Sequence, residues 1–136
     1  MTEETKRVAL TWREGMIFSG GEPGGATALV DADNTTAPGP MLQLLLAAGS
    51  CTAADVLLIL RKMQAPPRAF SMEVAGTRRD EHPRRYTAIH FTYRLSGEGI
   101  DEPRARRAID LSLEKYCSVV NSLAPDIPIT YELVLG

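Results

Sequence analysis

Between Pro38 and Lys62 the chain is apolar on nearly every side, and after Pro40 no proline interrupts it until Pro66. Pro38 and Pro40 suit a helix start, and Arg61-Lys62 stands where cations favour a helix C-terminus. At helical spacing Leu44, Ala47, Ala48, Cys51, Ala54 and Leu58 fall along one side, and Leu42, Leu45, Leu46, Gly49, Val56 and Leu60 along others. A helix apolar all round is either the buried axis of a globule or a membrane span. Length permits a span, since about 20 apolar residues suffice. Gln43, Ser50, Thr52 and Asp55 argue against one, because a carboxylate at mid-bilayer costs roughly 2.5–3.5 kcal/mol. The expectation is a buried helix of a soluble protein, with no membrane as partner.

Cys51 sits near the middle of that helix, next to Gly49 and Ser50. A glycine inside a helix costs about 1 kcal/mol relative to alanine, so it usually marks close packing or an opening. Here it would thin the helix beside the thiol, letting a second backbone or a small substrate approach. Taken alone, Cys51 reads more readily as a small core hydrophobe.

The frame around the helix is a chain of 136 residues, enough for one domain over 1–136 that buries roughly two-thirds of its unfolded surface. A formal net charge of −2 argues against a nucleic-acid partner, which normally meets a basic surface. Two cysteines are too few for a disulfide scaffold, and no CxxC or Cys/His cluster points to a metal. The N-terminus is acidic and polar with no signal-peptide core behind it, so a cytoplasmic location is expected. There a thiol pair is more often catalytic or redox-sensing than structural.

Ahead of the helix, alternation at Val8, Leu10 and Trp12, a turn at Arg13-Glu14-Gly15, Met16-Ile17-Phe18 and Thr27 to Val30 read as three short strands. Ser19 to Gly25 reads as loop, and Asp31 to Pro40 as a linker. Beyond the helix, Phe70, Met72, Val74 and Gly76 alternate in a strand. A polar hairpin from Arg78 to Arg85 leads to a return strand, with Thr87, Ile89, Phe91, Tyr93 and Leu95 on one face and Ala88, His90, Thr92 and Arg94 on the other. His82 and His90 have no neighbours that specify a ligand or base, and read as surface or sheet-face residues. Asp101 is a good N-cap for an amphipathic helix carrying Ala105, Ala108, Ile109, Leu113 and Tyr116 on one face. Cys117 stands where that helix ends and a short one begins, a setting that would favour its thiolate. Ile129, Tyr131, Leu133 and Leu135 close the chain as a strand. This order predicts an α+β domain on a mainly antiparallel sheet. One sheet covers only one side of the central helix, so a second copy of the chain is the simplest cover for the rest.

Three segments together resemble the OsmC/Ohr family, the osmotically inducible protein C and organic hydroperoxide resistance proteins. They are Pro40-Met-Leu-Gln-Leu-Leu-Leu-Ala-Ala-Gly-Ser-Cys51-Thr52 with Ala54-Asp55-Val56; Glu81-His82-Pro83 with Tyr86 to His90; and Glu114-Lys115-Tyr116-Cys117-Ser118-Val119 with Ser122 to Pro125. The resemblance runs from about residue 7 to the C-terminus. It implies an intertwined homodimer with central helices back to back and an active site at the interface. It implies that Cys51 is a peroxidatic thiol attacking an organic hydroperoxide, and that Cys117 resolves the sulfenic acid to an internal disulfide. A dithiol then returns both to thiols, with no cofactor or metal. Catalytic members also place an arginine in the loop before the central helix and a glutamate ahead of the first cysteine. Here Pro40-Met41-Leu42-Gln43 holds no carboxylate, and Ser19 to Pro40 holds no arginine. With Asp55 one turn away, Cys51 is expected to react slowly at neutral pH and faster as pH rises, unless Arg13, Arg61 or an arginine of a second subunit reaches it. Two other readings stay open: a non-catalytic dimeric module binding a small apolar molecule at the interface beside Cys51, and a structural dimer.

Overall fold

The computed structural model describes residues 3–136. The chain forms two compact units, one ending at Leu44 and one running Leu45–Gly136, with the boundary inside the long helix.

The first unit is an antiparallel meander, β1 (Ala9–Glu14), β2 (Ile17–Gly21) and β3 (Thr27–Asp31), in that order across the sheet. Gly15, at a φ of +52°, makes the tight turn between β1 and β2, where a side chain would be strained. The expectation of loop from Ser19 onward is wrong for its first three residues. Ser19, Gly20 and Gly21 continue β2, paired to Thr11, Leu10 and Ala9 on one side and to Leu29, Ala28 and Thr27 on the other. Glycine persists there because of close approach rather than looseness. A Cβ on Gly20 would lie 2.7 Å from the Leu10 side chain, and one on Gly21 would meet the Ala26 carbonyl oxygen. After β3, the buried Asp31 carboxylate accepts N–H bonds from Asp33, Thr35 and Thr36 and a hydroxyl bond from Thr35, winding the linker around one anion.

Helix α1 spans Pro40–Lys62, as the proline and basic signals predict. Among its residues Leu45, Ala48, Gly49, Thr52, Val56 and Leu60 are buried, a stripe at spacings of three and four. The opposite side is bare: Leu46 is 58 % and Leu58 54 % exposed. Within this chain α1 is therefore amphipathic by burial though apolar by composition. It is long and apolar enough to cross a membrane by length and composition alone, but Thr52 and Asp55 on it are hydrogen-bonded into the protein. Of the two readings of Gly49, close packing holds. The glycine faces strand β4, where an added Cβ would lie 2.9 Å from Val74 Cγ2, so its small size serves helix-on-sheet packing inside the chain.

The second unit's sheet has the order β4 (Ala69–Arg78), β5 (Tyr86–Ser96), β6 (Ile129–Leu135). β4 and β5 are antiparallel, whereas β5 and β6 run parallel and need a crossover connection. Helix α2 (Glu102–Leu111), one π-helical turn (Ser112–Tyr116) and the short α3 (Ser118–Ser122) supply it. The fold thus has two three-stranded sheets where the sequence pattern suggested one. In β5 Ile89, Phe91, Tyr93 and Leu95 are buried as expected, but at the strand's start Tyr86 is buried and Thr87 is not, and Thr92 of the other face is buried too. Ile89, Phe91, Tyr93 and Leu95 form the core with Val56 and Leu60 of α1 and Ala105, Ala108 and Ile109 of α2, all buried, and truncating such an aromatic costs roughly 3–5 kcal/mol. On the outer face His90 bonds Thr130 and Glu132 of β6, a cross-strand contact and not a ligand site.

Candidate active site

The crossover places the second cysteine. Asp101 caps α2, its side chain accepting the Arg104 N–H at 2.9 Å. At the far end the Cys117 N–H donates to the Ser112 carbonyl at 2.7 Å, closing a turn one residue wider than an α-turn. Such π turns recur at functional sites because they re-aim side chains without breaking the helix. Here Ser112 is turned inward, fully buried, and Cys117 becomes the N-cap of α3.

Cys51 and Cys117, far apart in the chain, come together. Their Sγ atoms and a carboxylate oxygen of Asp55 all lie within 4.8 Å of one another. Both cysteines are free thiols. Cys51 is half-buried and Cys117 has no exposed surface. That burial reverses the reading of Cys117 as the thiol with the better electrostatic setting. Desolvation pushes its pKa up to about 11, against the pull of the single N–H that Val120 donates to Sγ at 3.5 Å. The neighbouring Cys51 sulfur and the Asp55 carboxylate push it further the same way. The one-turn α3 offers too little to offset the loss of water around the anion.

Beneath the thiols lies a network that residue types alone did not mark. Ser112 Oγ donates to Asp55 Oδ2 at 2.9 Å; Thr52 Oγ1 lies 2.7 Å from Ser112 Oγ and 2.8 Å from the Tyr93 hydroxyl. Each hydroxyl carries one proton and the carboxylate only accepts. The direction is therefore set: Tyr93 donates to Thr52, Thr52 to Ser112, and Ser112 to Asp55. Thr52, Tyr93 and Ser112 are all buried, and burial holds the Tyr93 phenol far above its ordinary range. The sequence signals were faint: a Thr and an Asp in an apolar helix, and a hydroxyl-bearing ring in an apolar strand row.

Three donor atoms this close also invite comparison with a metal site. Such a site would hold both sulfurs as thiolates, a state that a bound cation itself stabilises. The cluster reads as a thiol pair with a proton acceptor. Arg13, one of the cations proposed to reach the thiol, instead donates to Ser19 Oγ at 2.8 Å. An apolar groove of about 260 Å³ lies between α1 and β4, lined in part by Leu46, Gly49, Ala53, Phe70, Met72 and Val74. Its lining includes neither cysteine.

The family model for the OsmC-like protein matches residues 32–132. The Escherichia coli K12 protein YhfA is 38 % identical over 126 residues, covering 90 % of this chain and 94 % of YhfA. This chain belongs to the OsmC-like protein family. Among solved structures, an OsmC-like protein from Mycoplasma pneumoniae superposes with a TM-score of 0.83 at 16 % identity, over 98 % of this chain and 99 % of that one. The organic hydroperoxide resistance protein OhrB of Bacillus subtilis superposes with a TM-score of 0.61 at 15 % identity, over 96 % and 98 %. At these identities the two structures establish a shared fold. The OsmC-like architecture is thus the frame that brings Cys51 and Cys117 together.

Proposed function

We propose that this OsmC-like protein is a thiol-dependent reductase of organic hydroperoxides, with Cys51 as the attacking thiol and Cys117 as the resolving one. The observation that carries the reading is the pairing itself, two free thiols in contact distance, one reachable and one sealed. In the first step the Cys51 thiolate attacks the outer oxygen of ROOH. An S–O bond forms, the O–O bond breaks, and the alkoxide leaves as ROH with one proton. Cys51 is then a sulfenic acid. In the second step the Cys117 sulfur attacks Cys51 Sγ, the S–S bond forms, and the oxygen leaves as water. A neighbouring thiol that traps the sulfenic acid protects it from irreversible oxidation. An external dithiol returns the disulfide to two thiols by exchange. The division of roles follows burial: the oxidant must reach Cys51, whereas Cys117 needs to reach only Cys51. Free thiols suit a reducing compartment such as the cytoplasm.

The working unit is a homodimer. Leu46 and Leu58 on α1, and Val8, Leu10 and Trp12 at and before β1, are each more than half exposed in the single chain. A second copy is the simplest cover for two such apolar surfaces. The non-catalytic binding module would need an apolar site beside Cys51, and the groove between α1 and β4 has neither thiol in its lining. The test is titration of free thiols before and after a small excess of cumene hydroperoxide. Loss of both thiols, restored by dithiothreitol, supports the reading; unchanged thiols overturn it. Cys51→Ser should abolish peroxide consumption, whereas Cys117→Ser should leave one turnover that stops at the sulfenic acid.

A further inference from the structure

We propose that Asp55 is the base of the resolving step: it takes the proton from Cys117 as that sulfur closes on oxidised Cys51, and hands it to the departing group. The inference deepens the proposed function and rests on it for the identity of the departing group.

In the reduced pair the Cys51 sulfur lies within 4.8 Å of Cys117 Sγ and favours its protonated form. Once Cys51 carries oxygen, that sulfur is the electrophile and no longer an acceptor, so the proton needs another destination. The groups around it are few. From α1 there are Cys51 and Asp55; from β5 there is Tyr93, whose hydroxyl is committed to Thr52. Tyr131 of β6 lies edge-on to Tyr93, and its own hydroxyl donates to Asp110, with Arg106 over its ring. Among the described residues, Asp55 is the one that offers a carboxylate within 4.8 Å of both sulfurs. The directed chain from Tyr93 through Thr52 and Ser112 ends on its Oδ2, so the hydroxyls hold one oxygen in place. The carboxylate so held stands within 4.8 Å of a buried thiol whose pKa of about 11 leaves almost no thiolate at neutral pH. The balance closes without an outside reagent. Cys51–S–OH and Cys117–SH give the disulfide and water, and Asp55 ends the step as it began it, a carboxylate. A positioned base of this kind contributes typically about 10²–10⁴-fold.

The test avoids peroxide, so its failure is distinct from failure of the proposed function. Charging Cys51 with dithiobis(nitrobenzoate) gives a mixed disulfide; attack by Cys117 then releases thionitrobenzoate, read by absorbance. Asp55→Asn, nearly isosteric, should slow that second release about 100-fold. Its rate should climb about tenfold per pH unit, because only the thiolate fraction of Cys117 reacts, while the wild-type rate climbs much less. Asp55→Glu, which keeps a carboxylate, should recover much of the rate, and circular dichroism checks that each variant folds. A role limited to charge gives the opposite sign. Asp55 holds the Cys117 proton on, so removing its charge alone would speed release. Release in Asp55→Asn as fast as wild type, or faster, or with the wild-type pH slope, overturns the proposal.

Discussion

Replacing Thr52 by valine keeps the volume of a fully buried side chain and deletes one hydroxyl from the centre of the network. Two bonds go, at 2.8 and 2.7 Å. Ser112 still donates to Asp55, so it loses only a donor, worth about 0.5–1.5 kcal/mol. Tyr93 fares worse, because its hydroxyl loses the acceptor and has no exposed surface through which water reaches it. That costs about 1–3 kcal/mol. The extra methyl returns up to about 0.8 kcal/mol, leaving a net destabilisation that centres on about 2 kcal/mol. For a chain of this size the melting temperature should fall by about 6–12 °C. Tyr93→Phe alone should cost less, since Thr52 keeps Ser112 as a partner. The decisive variant is the pair Thr52→Val/Tyr93→Phe, which removes the orphaned phenol. It should cost about 1–3 kcal/mol less than the sum of the singles. Urea denaturation of all four proteins at one concentration supplies the cycle. Strictly additive costs, or a Thr52→Val change below about 0.5 kcal/mol, would refute the directed network.

Other expectations follow from single features. Thr36, Asp33 and Thr35 N–H groups hold the Asp31 pKa down to about 2, below its unfolded value. Its contribution should be complete above about pH 4 and disappear as pH falls from there towards 2. The stability gap between wild type and Asp31→Asn should close across that window, and a gap constant down to pH 2 would contradict the assignment. Gly49→Leu should cost about 1–3 kcal/mol by wedging α1 off Val74. Gly49→Ala should cost less, because the gain in helix propensity of about 1 kcal/mol offsets part of the clash. Leu46→Glu with Leu58→Glu should convert a dimer into a 14.8 kDa species on sedimentation. A wild-type monomer at micromolar concentration would show that nothing covers that face.

Patterns written in neighbouring residues were legible before the fold was seen. The bounds of α1, the inward row of β5, the Asp101 cap and the order of elements all follow from local periodicity and breaker residues. What could not be read depends on partners distant in the chain. Gly20 and Gly21 look like loop until the backbone and side chains crowding them are known. Gly49 reads as close packing or an opening alike until Val74 stands opposite. The parallel pairing of β6 with β5 leaves no mark in the alternation of either strand. The two cysteines were legible as candidates through their flanking motifs. Their electrostatics were not, because the burial that outweighs the α3 N-terminus at Cys117 is a tertiary property. Ser112 was invisible for the same reason: a serine after an amphipathic helix is ordinary until a π turn swings it inward.

The proximity and division of labour of the two thiols are tested most directly by peptide mapping of the protein after one equivalent of cumene hydroperoxide, under denaturing alkylation. The account predicts a single new species, an intramolecular disulfide joining the Cys51 and Cys117 peptides, absent from Cys51→Ser and reversed by a dithiol. In Cys117→Ser the same treatment should leave a sulfenic acid on Cys51 that dimedone traps. Sulfenic acid appearing first on Cys117, disulfides only between chains, or both thiols alkylated as if no oxidant had been added would each contradict it.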